Sequence, residues 1–196
     1  MAATAVDGIG PSMAAADKAP SKPLANLERV TSEYVVAQDR IRFSGAQPGG
    51  GVVVFWLTQR LLLRMLPALL TWLGAQQPDV LRAEALQSFA QQAARTQSQT
   101  QPQDLVQGDD AAPGWLVESV DVTQLPQALR LTFKAGTAAG DVCASWPALS
   151  LPAPALRQWL NILFDNCRAA GWPLDAWPEW MHESVQPQES RAPVLH

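Results

Sequence analysis

The sequence predicts an α+β protein in which two similar β-β-β-α units form one antiparallel sheet or two abutting ones, with their helices packed on a shared face. The first observation is a β-branched and aromatic run at residues 52–57 (VVVFWL), which is typical of a buried strand. The second is a set of leucines at three-and-four spacing directly after it, which indicates a helix. The third is that residues 114–171 show a similar order of patterns. Each unit has one apolar sheet face and needs a partner to close its core.

Residues 1–26 are predicted to be a disordered leader, because they are rich in Ala, Gly, Pro and Ser and show no apolar period. A basic start followed by an apolar run is missing, so this leader is not predicted to be a signal peptide.

The first unit, together with an extra helix, is predicted to span residues 27–96. Two strand patterns precede the Gly- and Pro-rich turn at residues 44–51. After the next strand, Thr58 can offer its hydroxyl to the free amides of the first helical turn. Pro67 lies inside that helix and predicts a kink. The extra helix begins near residue 78, where a proline and an early acid favour a first turn.

The second unit follows a polar, low-complexity stretch at residues 97–113, which predicts a linker. Residues 114–171 contain three strand patterns, the last of them over residues 142–151. A helix over residues 153–170 is expected to end at Gly171, which suits the left-handed conformation past a helix end.

The helices of the two units match position by position when the strand-to-helix junctions are aligned. Leu69 then falls on Leu163, and Leu73 falls on Cys167. We therefore predict a duplicated unit whose copies are related by a pseudo-two-fold axis. The competing interpretation is a chance similarity between two amphipathic helices.

The composition limits the classes of function. Of 196 residues, 47% are hydrophobic and 16% are charged, so the chain can bury a core. A net charge of -4 with scattered basic residues argues against a nucleic-acid partner. Cys143 and Cys167 are too few for a disulfide framework and lack metal-ligand spacing, which favours a reducing, cytoplasmic location.

Residues 52–73 are long and apolar enough to raise the alternative of a membrane span. Arg60 and Arg64 stand near the middle, however, where each would cost about 2.5–3.5 kcal/mol in a bilayer. Pro67 and the β-branched beginning suit a strand–helix corner instead. We therefore predict no membrane span.

The C-terminal arm, residues 172–196, is the strongest candidate for a binding site. Its aromatic segment GWPLDAWPEWM cannot form one regular helix, because each proline restricts the residue before it. Tryptophans on an extended arm suit docking into a groove of a partner protein. The alternative is that the arm folds back and covers the protein's own sheet or helix face. The candidate residues are Trp172, Pro173, Trp177, Pro178 and Trp180.

Arg60 and Arg64 share one helix face and form a weaker candidate site. They could contact an anion or a carboxylate of a partner. The alternative is that they form the narrow solvent face of a buried helix.

No catalytic residue, metal ligand set or cofactor site is predicted. The chain contains no nucleophile-elbow, phosphate-loop, paired-cysteine or dinucleotide-binding motif. His182 stands between Glu179 and Glu183, but one histidine and two carboxylates are a weak ligand set. Cys143 and Cys167 are the only nucleophile candidates, and their apolar surroundings favour inert buried thiols.

These observations favour a non-catalytic adaptor or accessory protein, with a homodimer as one possibility, that binds another protein through the arm or a sheet edge. An enzyme is the less favoured class. The alternative is a small-molecule-binding protein, or an enzyme, with an apolar pocket between the two units. That pocket would be lined by aromatic and thioether side chains from both units: Trp56, Met65, Trp146 and Trp159.

Overall fold

The computed structural model describes residues 26–76, 83–100, 104–108, 114–135 and 146–184. This part of the chain contains one six-stranded sheet and four α-helices, so the predicted α+β class is confirmed. The strands are β1 (Arg29–Val35), β2 (Arg40–Ala46), β3 (Val52–Leu57), β4 (Trp115–Gln124), β5 (Leu129–Ala135) and β6 (Ala148–Leu151). The helices are α1 (Gln59–Ala75), α2 (Ala83–Thr100), α3 (Ala153–Ala170) and α4 (Glu179–Glu183). The predicted leader lies outside the described residues except for Asn26.

The sheet has the strand order β1-β2-β3-β4-β5-β6 and is mixed. Every neighbouring pair is antiparallel except β3 and β4, which run parallel. One purely antiparallel sheet, the first of the two predicted arrangements, is therefore wrong at this pairing, whereas the strands within each half pair in antiparallel fashion. The reason is that the chain between β3 and β4 contains α1 and α2, which return it to the end of the sheet where β3 begins, as a parallel neighbour requires.

The predicted pseudo-two-fold stays a prediction. The two halves meet where β3, the third strand of the first half, lies parallel to β4, the first strand of the second half. The two halves therefore follow one another along the sheet.

The sheet curls until its first and last strands meet at one point. Phe43 on β2 and Phe133 on β5 have ring centroids 5.0 Å apart. In a flat sheet, strands three places apart would be separated by about 14 Å. At the closing point, Asn26 forms a parallel bridge with Ala148, whose carbonyl accepts from the amide of Leu27 at 2.7 Å.

One hydrophobic core lies within this curl. On β5, residues 129, 131, 133 and 135 are buried while those between them are half-buried, which shows that one face of the strand points inward. The apolar faces of α1 and α3 join the same core. The largest fully buried side chains come from both halves: Ile41, Phe43, Phe55, Leu66, Leu69, Leu131, Phe133 and Phe164.

The strand–helix corner predicted at residues 52–73 is confirmed. Thr58 Oγ1 accepts from the amide of Leu61 at 3.2 Å and caps α1. The helix continues past Pro67 without a break and ends at Ala75. Within the described ranges, no helix combines the length and the hydropathy needed to cross a membrane.

The stretch predicted as a linker is partly structured. Helix α2 extends into its first four residues, and residues 104–108 pack against the first half of the sheet. Val106 is buried, and its amide donates to Thr31 Oγ1 at 2.8 Å. The carbonyl of Gly108 accepts from Arg42 Nη2 at 3.1 Å. These contacts fix the segment on β1 and β2 despite its polar composition.

Candidate functional site

The outer edge of β1 is partly capped by a side chain of α3. Asn166 Oδ1 accepts from the amide of Tyr34 at 2.7 Å, and Asn166 Nδ2 donates to the carbonyl of Ser32 at 3.1 Å. The hydroxyl of Ser32 accepts from Trp159 Nε1 at 3.0 Å. Helix α3 thereby satisfies one half of an edge that would otherwise present unpaired backbone groups.

The other half of the β1 edge faces β6 across a gap. Alternate residues of an antiparallel strand direct their backbone groups to the same side, so the bonds to Asn166 imply that Val30 also faces outward. On β6, the carbonyl of Ala148 reaches across to Leu27, so Ser150, two residues further on, faces the same gap. Among the described residues, no hydrogen bond links Val30 to Ser150. Two strand edges therefore face each other without pairing.

This gap opens into a cavity of about 530 Å³, which we call the β1–β6 cleft. Its walls come from β1, β6, the first turns of α3, the end of α2 and residues 104–105. Leu105 and Ile162 line it with side chains that are 71% and 40% exposed. Arg29 and Asp104 form an exposed ion pair of 3.7 Å at its margin. The cleft thus combines free backbone groups, apolar side chains and a polar rim.

The described part of the Trp/Pro-rich arm packs on the chain's own core. Trp172 is 7% exposed, and its Nε1 donates to Asp39 Oδ1 at 3.1 Å while its ring meets Tyr34 edge-on at 5.8 Å. Trp177 is 4% exposed and meets the ring of Phe164 at 5.2 Å. Both rings lie inside the protein, so neither is presented as a free anchor in this conformation.

The rest of the arm is less deeply buried. Pro173 is exposed, and Pro178 occupies the residue before α4. Trp180 is half-buried, with its ring centroid 5.7 Å from Arg157 Cζ. Met181, the next residue, is fully buried and holds α4 against the core.

The two candidate arginines of α1, Arg60 and Arg64, are both exposed. Neither forms a hydrogen bond or an ion pair with a described residue. Their charges are therefore available to a partner, but the structure brings no further polar group to them.

The four residues predicted to line an apolar pocket do not share one cavity. Met65 is buried in the core, whereas Trp159 lines the β1–β6 cleft. Trp56 lies on β3 and Trp146 lies near the start of β6, where its ring meets Trp115 edge-on at 6.4 Å. Of these four residues, Trp159 is the one that lines the β1–β6 cleft.

Three titratable side chains near the core, Cys167, Tyr34 and His182, make structural contacts. Burial raises the pKa of the Cys167 thiol to about 12, so it stays protonated at neutral pH. The hydrogen bond that the Tyr34 hydroxyl donates to Asp39 raises the pKa of Tyr34. His182 packs edge-on against Phe164 at 5.1 Å. Within the described ranges, no group of three or more His, Cys, Asp or Glu side chains could hold a metal ion.

The sequence did not identify Asn166 or the unpaired halves of β1 and β6. One signal was present: Asn166 precedes Cys167 on a helix that buries mostly apolar residues, and a polar group beside them needs a partner. Its partners are the backbone groups of Ser32 and Tyr34, more than 130 residues earlier in the chain. No periodicity within α3 could indicate them.

Comparisons with known proteins place no relative beside this chain: no family model, no curated protein and no solved structure matches it.

Proposed function

We propose that this protein is a non-catalytic adaptor that binds an extended segment of another protein in the β1–β6 cleft. The observation that carries the proposal is the pair of unpaired strand edges, one on β1 and one on β6, at the floor of a cavity of about 530 Å³. Of the two binding modes that the sequence suggested, the arm and a sheet edge, the geometry supports the sheet edge better.

Backbone pairing would supply the affinity of such a contact. An extended peptide that adds to a sheet edge forms main-chain hydrogen bonds with it, while alternate side chains enter pockets. Val30 and Ser150 offer backbone groups from the two sides of the cleft. The apolar side chains of Leu105 and Ile162 lie where alternate side chains of the peptide would pack.

The arm has a supporting part in this proposal. Trp172 and Trp177 pack beside Tyr34 and Phe164, and thereby join the end of α3 to β1. This contact fixes the helix that borders the cleft. Arg60 and Arg64 lie outside the cleft and would serve as a secondary contact for an acidic region of the partner.

The duplication belongs to the same proposal. Both halves have three strands followed by a long helix, and two pairs of aligned positions have nearly equal burial. Leu69 and Leu163 are each 0% exposed, while Leu73 and Cys167 are 0% and 1% exposed. We interpret the halves as copies arranged along the sheet, which leaves the first and last strands as the two free edges.

A cytoplasmic location and a homodimer also remain parts of the proposal. The location is supported by the thiol of Cys167, which is free and buried. A dimer would be supported by a mass of twice the chain's 21.2 kDa in light scattering. If the dimer persists when a peptide occupies the cleft, the two chains associate through a surface other than the cleft.

A small-molecule-binding function is the second candidate. The volume of the cleft lies within the range of pockets for small ligands, about 300–1,000 Å³. Trp159, one of the four residues expected in such a pocket, lines it. This alternative predicts that a defined small molecule binds in the cleft and slows amide exchange there, whereas no peptide does so.

The test is selection of peptides from a random library on the intact chain, followed by binding measurements with variants. Ile162→Lys places a charge in the cleft and should weaken the selected peptides on the order of tenfold or more, since it opposes burial of their apolar side chains. Val36→Lys is the matched control, because Val36 is exposed and outside the cleft.

Amide exchange supplies the second readout of the same test. A bound extended peptide should slow exchange of the Val30 and Ser150 amides, which it would hydrogen-bond. The proposed site would be contradicted if the selected peptides bound the native chain and Ile162→Lys equally tightly. It would also be contradicted if they slowed amide exchange only in residues of the arm. Failure to select any peptide would leave the small-molecule function as the better supported one.

A further inference from the structure

Helix α3 buries a positive charge at its contact with α2. Gln87, Gln91, Arg157 and Asn161 are 7%, 0%, 4% and 4% exposed, and they form a polar cluster between the two helices. Burial lowers the pKa of Arg157 from its ordinary value, because desolvation disfavours the charged guanidinium. A buried charge without a counter-ion is destabilising.

Among the described residues, the guanidinium of Arg157 donates to two neutral side-chain oxygens. Arg157 Nη1 donates to Gln91 Oε1 at 3.3 Å, and Arg157 Nη2 donates to Gln87 Oε1. Gln87 is itself fixed, because its Nε2 donates to the carbonyl of Leu73 at 3.4 Å. Within the described part of the chain, no carboxylate pairs with Arg157.

A second buried donor stands beside this charge. Asn161 Nδ2 is buried and has no hydrogen-bond partner among the residues that the structure describes. Its orientation is determined, since Asn161 Oδ1 accepts from Gln91 Nε2 at 2.8 Å and the oxygen of Gln91 already accepts from Arg157. Arg157 and Asn161 are four residues apart on one helix and therefore share a face. Both present donors for which the described residues supply no negative acceptor.

Trp180 packs over the guanidinium of this cluster. Its ring lies 5.7 Å from Arg157 Cζ, and the ring is half-buried whereas the guanidinium is almost completely buried. Trp180 belongs to α4, a helix of five residues joined to α2 by the hydrogen bond that Ser88 Oγ donates to Glu183 Oε2 at 2.9 Å. A small displacement of this short helix would expose the donors.

We propose that Arg157 and Asn161 form a receptor for a carboxylate group, with Trp180 as its cover. A carboxylate is the complement of the guanidinium fork, and it could accept from the unpaired amide of Asn161 at the same time. The group would supply the missing counter-charge. It would come either from a small carboxylic acid or from an acidic side chain of a partner protein.

The first experiment is thermal unfolding of the full chain in increasing sodium acetate or sodium succinate, with sodium chloride adjusted to constant ionic strength. The melting temperature should rise with the carboxylates and remain unchanged with chloride alone, because a ligand that binds only the folded state stabilises it. Arg157→Met should weaken carboxylate binding on the order of thirtyfold or more. Arg168→Met is the matched control, since Arg168 is an exposed arginine of the same helix.

A measurement on the unaltered chain covers the case in which Arg157→Met does not fold. The side-chain amide resonances of Asn161 should shift when acetate or succinate is added. Trp180→Ala should strengthen binding, because it removes the cover. Equal stabilisation of the native chain and Arg157→Met, or an Asn161 amide that does not respond to carboxylates, would overturn the proposal.

A peptide pair distinguishes the two sources of the carboxylate. A short peptide with one Glu that binds more tightly than succinate, while its Gln counterpart does not bind, would assign the site to an acidic partner. Binding of succinate but not of the Glu peptide would assign it to a small acid. Binding of the Gln peptide as tightly as the Glu peptide would count against a carboxylate receptor.

Discussion

Helices α1 and α3 occupy equivalent places after the third strand of each half, but they bury different kinds of side chain. Every buried residue of α1 is apolar. Helix α3 has the same apolar spacing and also buries Arg157 and Asn161, while Asn166 reaches the edge of β1. The buried side chains of the first helix therefore contribute only apolar contacts. The second also connects α2, β1 and α4, and it borders the β1–β6 cleft.

The difference shows that two helices with the same hydrophobic pattern can make different polar contacts. Apolar burial is non-directional, so α1 and α3 can satisfy it with similar residues. Hydrogen bonds require specific partners, and an unsatisfied buried group costs about 1–3 kcal/mol. The polar residues of α3 therefore determine which elements lie beside it.

The largest expected effect tests whether the two helices contribute equally to the core. Leu69→Ala and Leu163→Ala should each lower the free energy of unfolding by about 2–5 kcal/mol, because both remove a fully buried side chain. Urea denaturation followed by circular dichroism measures this. Arg64→Ala is the exposed control and should change stability by less than about 0.5 kcal/mol. A large loss for only one leucine would contradict equal roles.

The next effect isolates the polar role of α3. Asn166→Ala removes both bonds to the β1 edge and should cost about 1–3 kcal/mol. The amide of Tyr34 should then exchange faster with solvent, as measured by NMR. Asn166→Asp keeps the oxygen that accepts from Tyr34 and should preserve protection of that amide. Unchanged exchange in Asn166→Ala would show that α3 does not cap the edge.

A smaller effect compares the beginnings of the two helices. Thr58 caps α1 through its hydroxyl, whereas Pro152, at the matching position before α3, makes no side-chain cap bond. Thr58→Ala should therefore cost about 1 kcal/mol in chemical denaturation. Thr58→Ser retains the hydroxyl and should cost less. An equal loss in both variants would mean that the methyl group of Thr58, rather than its cap, stabilises α1.

The smallest effect at neutral pH concerns Cys167, which aligns with Leu73 of α1. In a Cys143→Ser background, the thiol should not react with a disulfide reagent near pH 8 until the chain unfolds, since burial raises its pKa to about 12. As the pH rises above 9.0, the unfolded thiol ionises while the folded one stays protonated, so stability should fall. Cys167→Val should lessen this alkaline loss. Rapid reaction of the Cys167 thiol in the folded chain would contradict the prediction that this side chain is buried in the core as Leu73 is.

Much of the local structure could be predicted from the sequence. The strand at residues 52–57, its cap at Thr58 and the helix ending before Gly171 are found where the patterns indicated them. These features depend on neighbours in the chain: side-chain periodicity, capping hydroxyls and the left-handed tolerance of glycine. The parallel pairing of β3 with β4 could not be predicted in the same way, because it depends on the path of the connection between them.

By itself, the sequence determined the α+β class, most elements and the inward faces of α1 and α3, since periodic burial is encoded within each segment. The tertiary structure alone decided the order of the strands, the gap between β1 and β6 and the position of the arm's tryptophans. It also brought Gln87 and Gln91 to Arg157, and Asn166 to Tyr34. Such contacts join residues far apart in the chain, and hydrogen-bond partners are selected by position in the folded protein rather than by any pattern that a single segment carries.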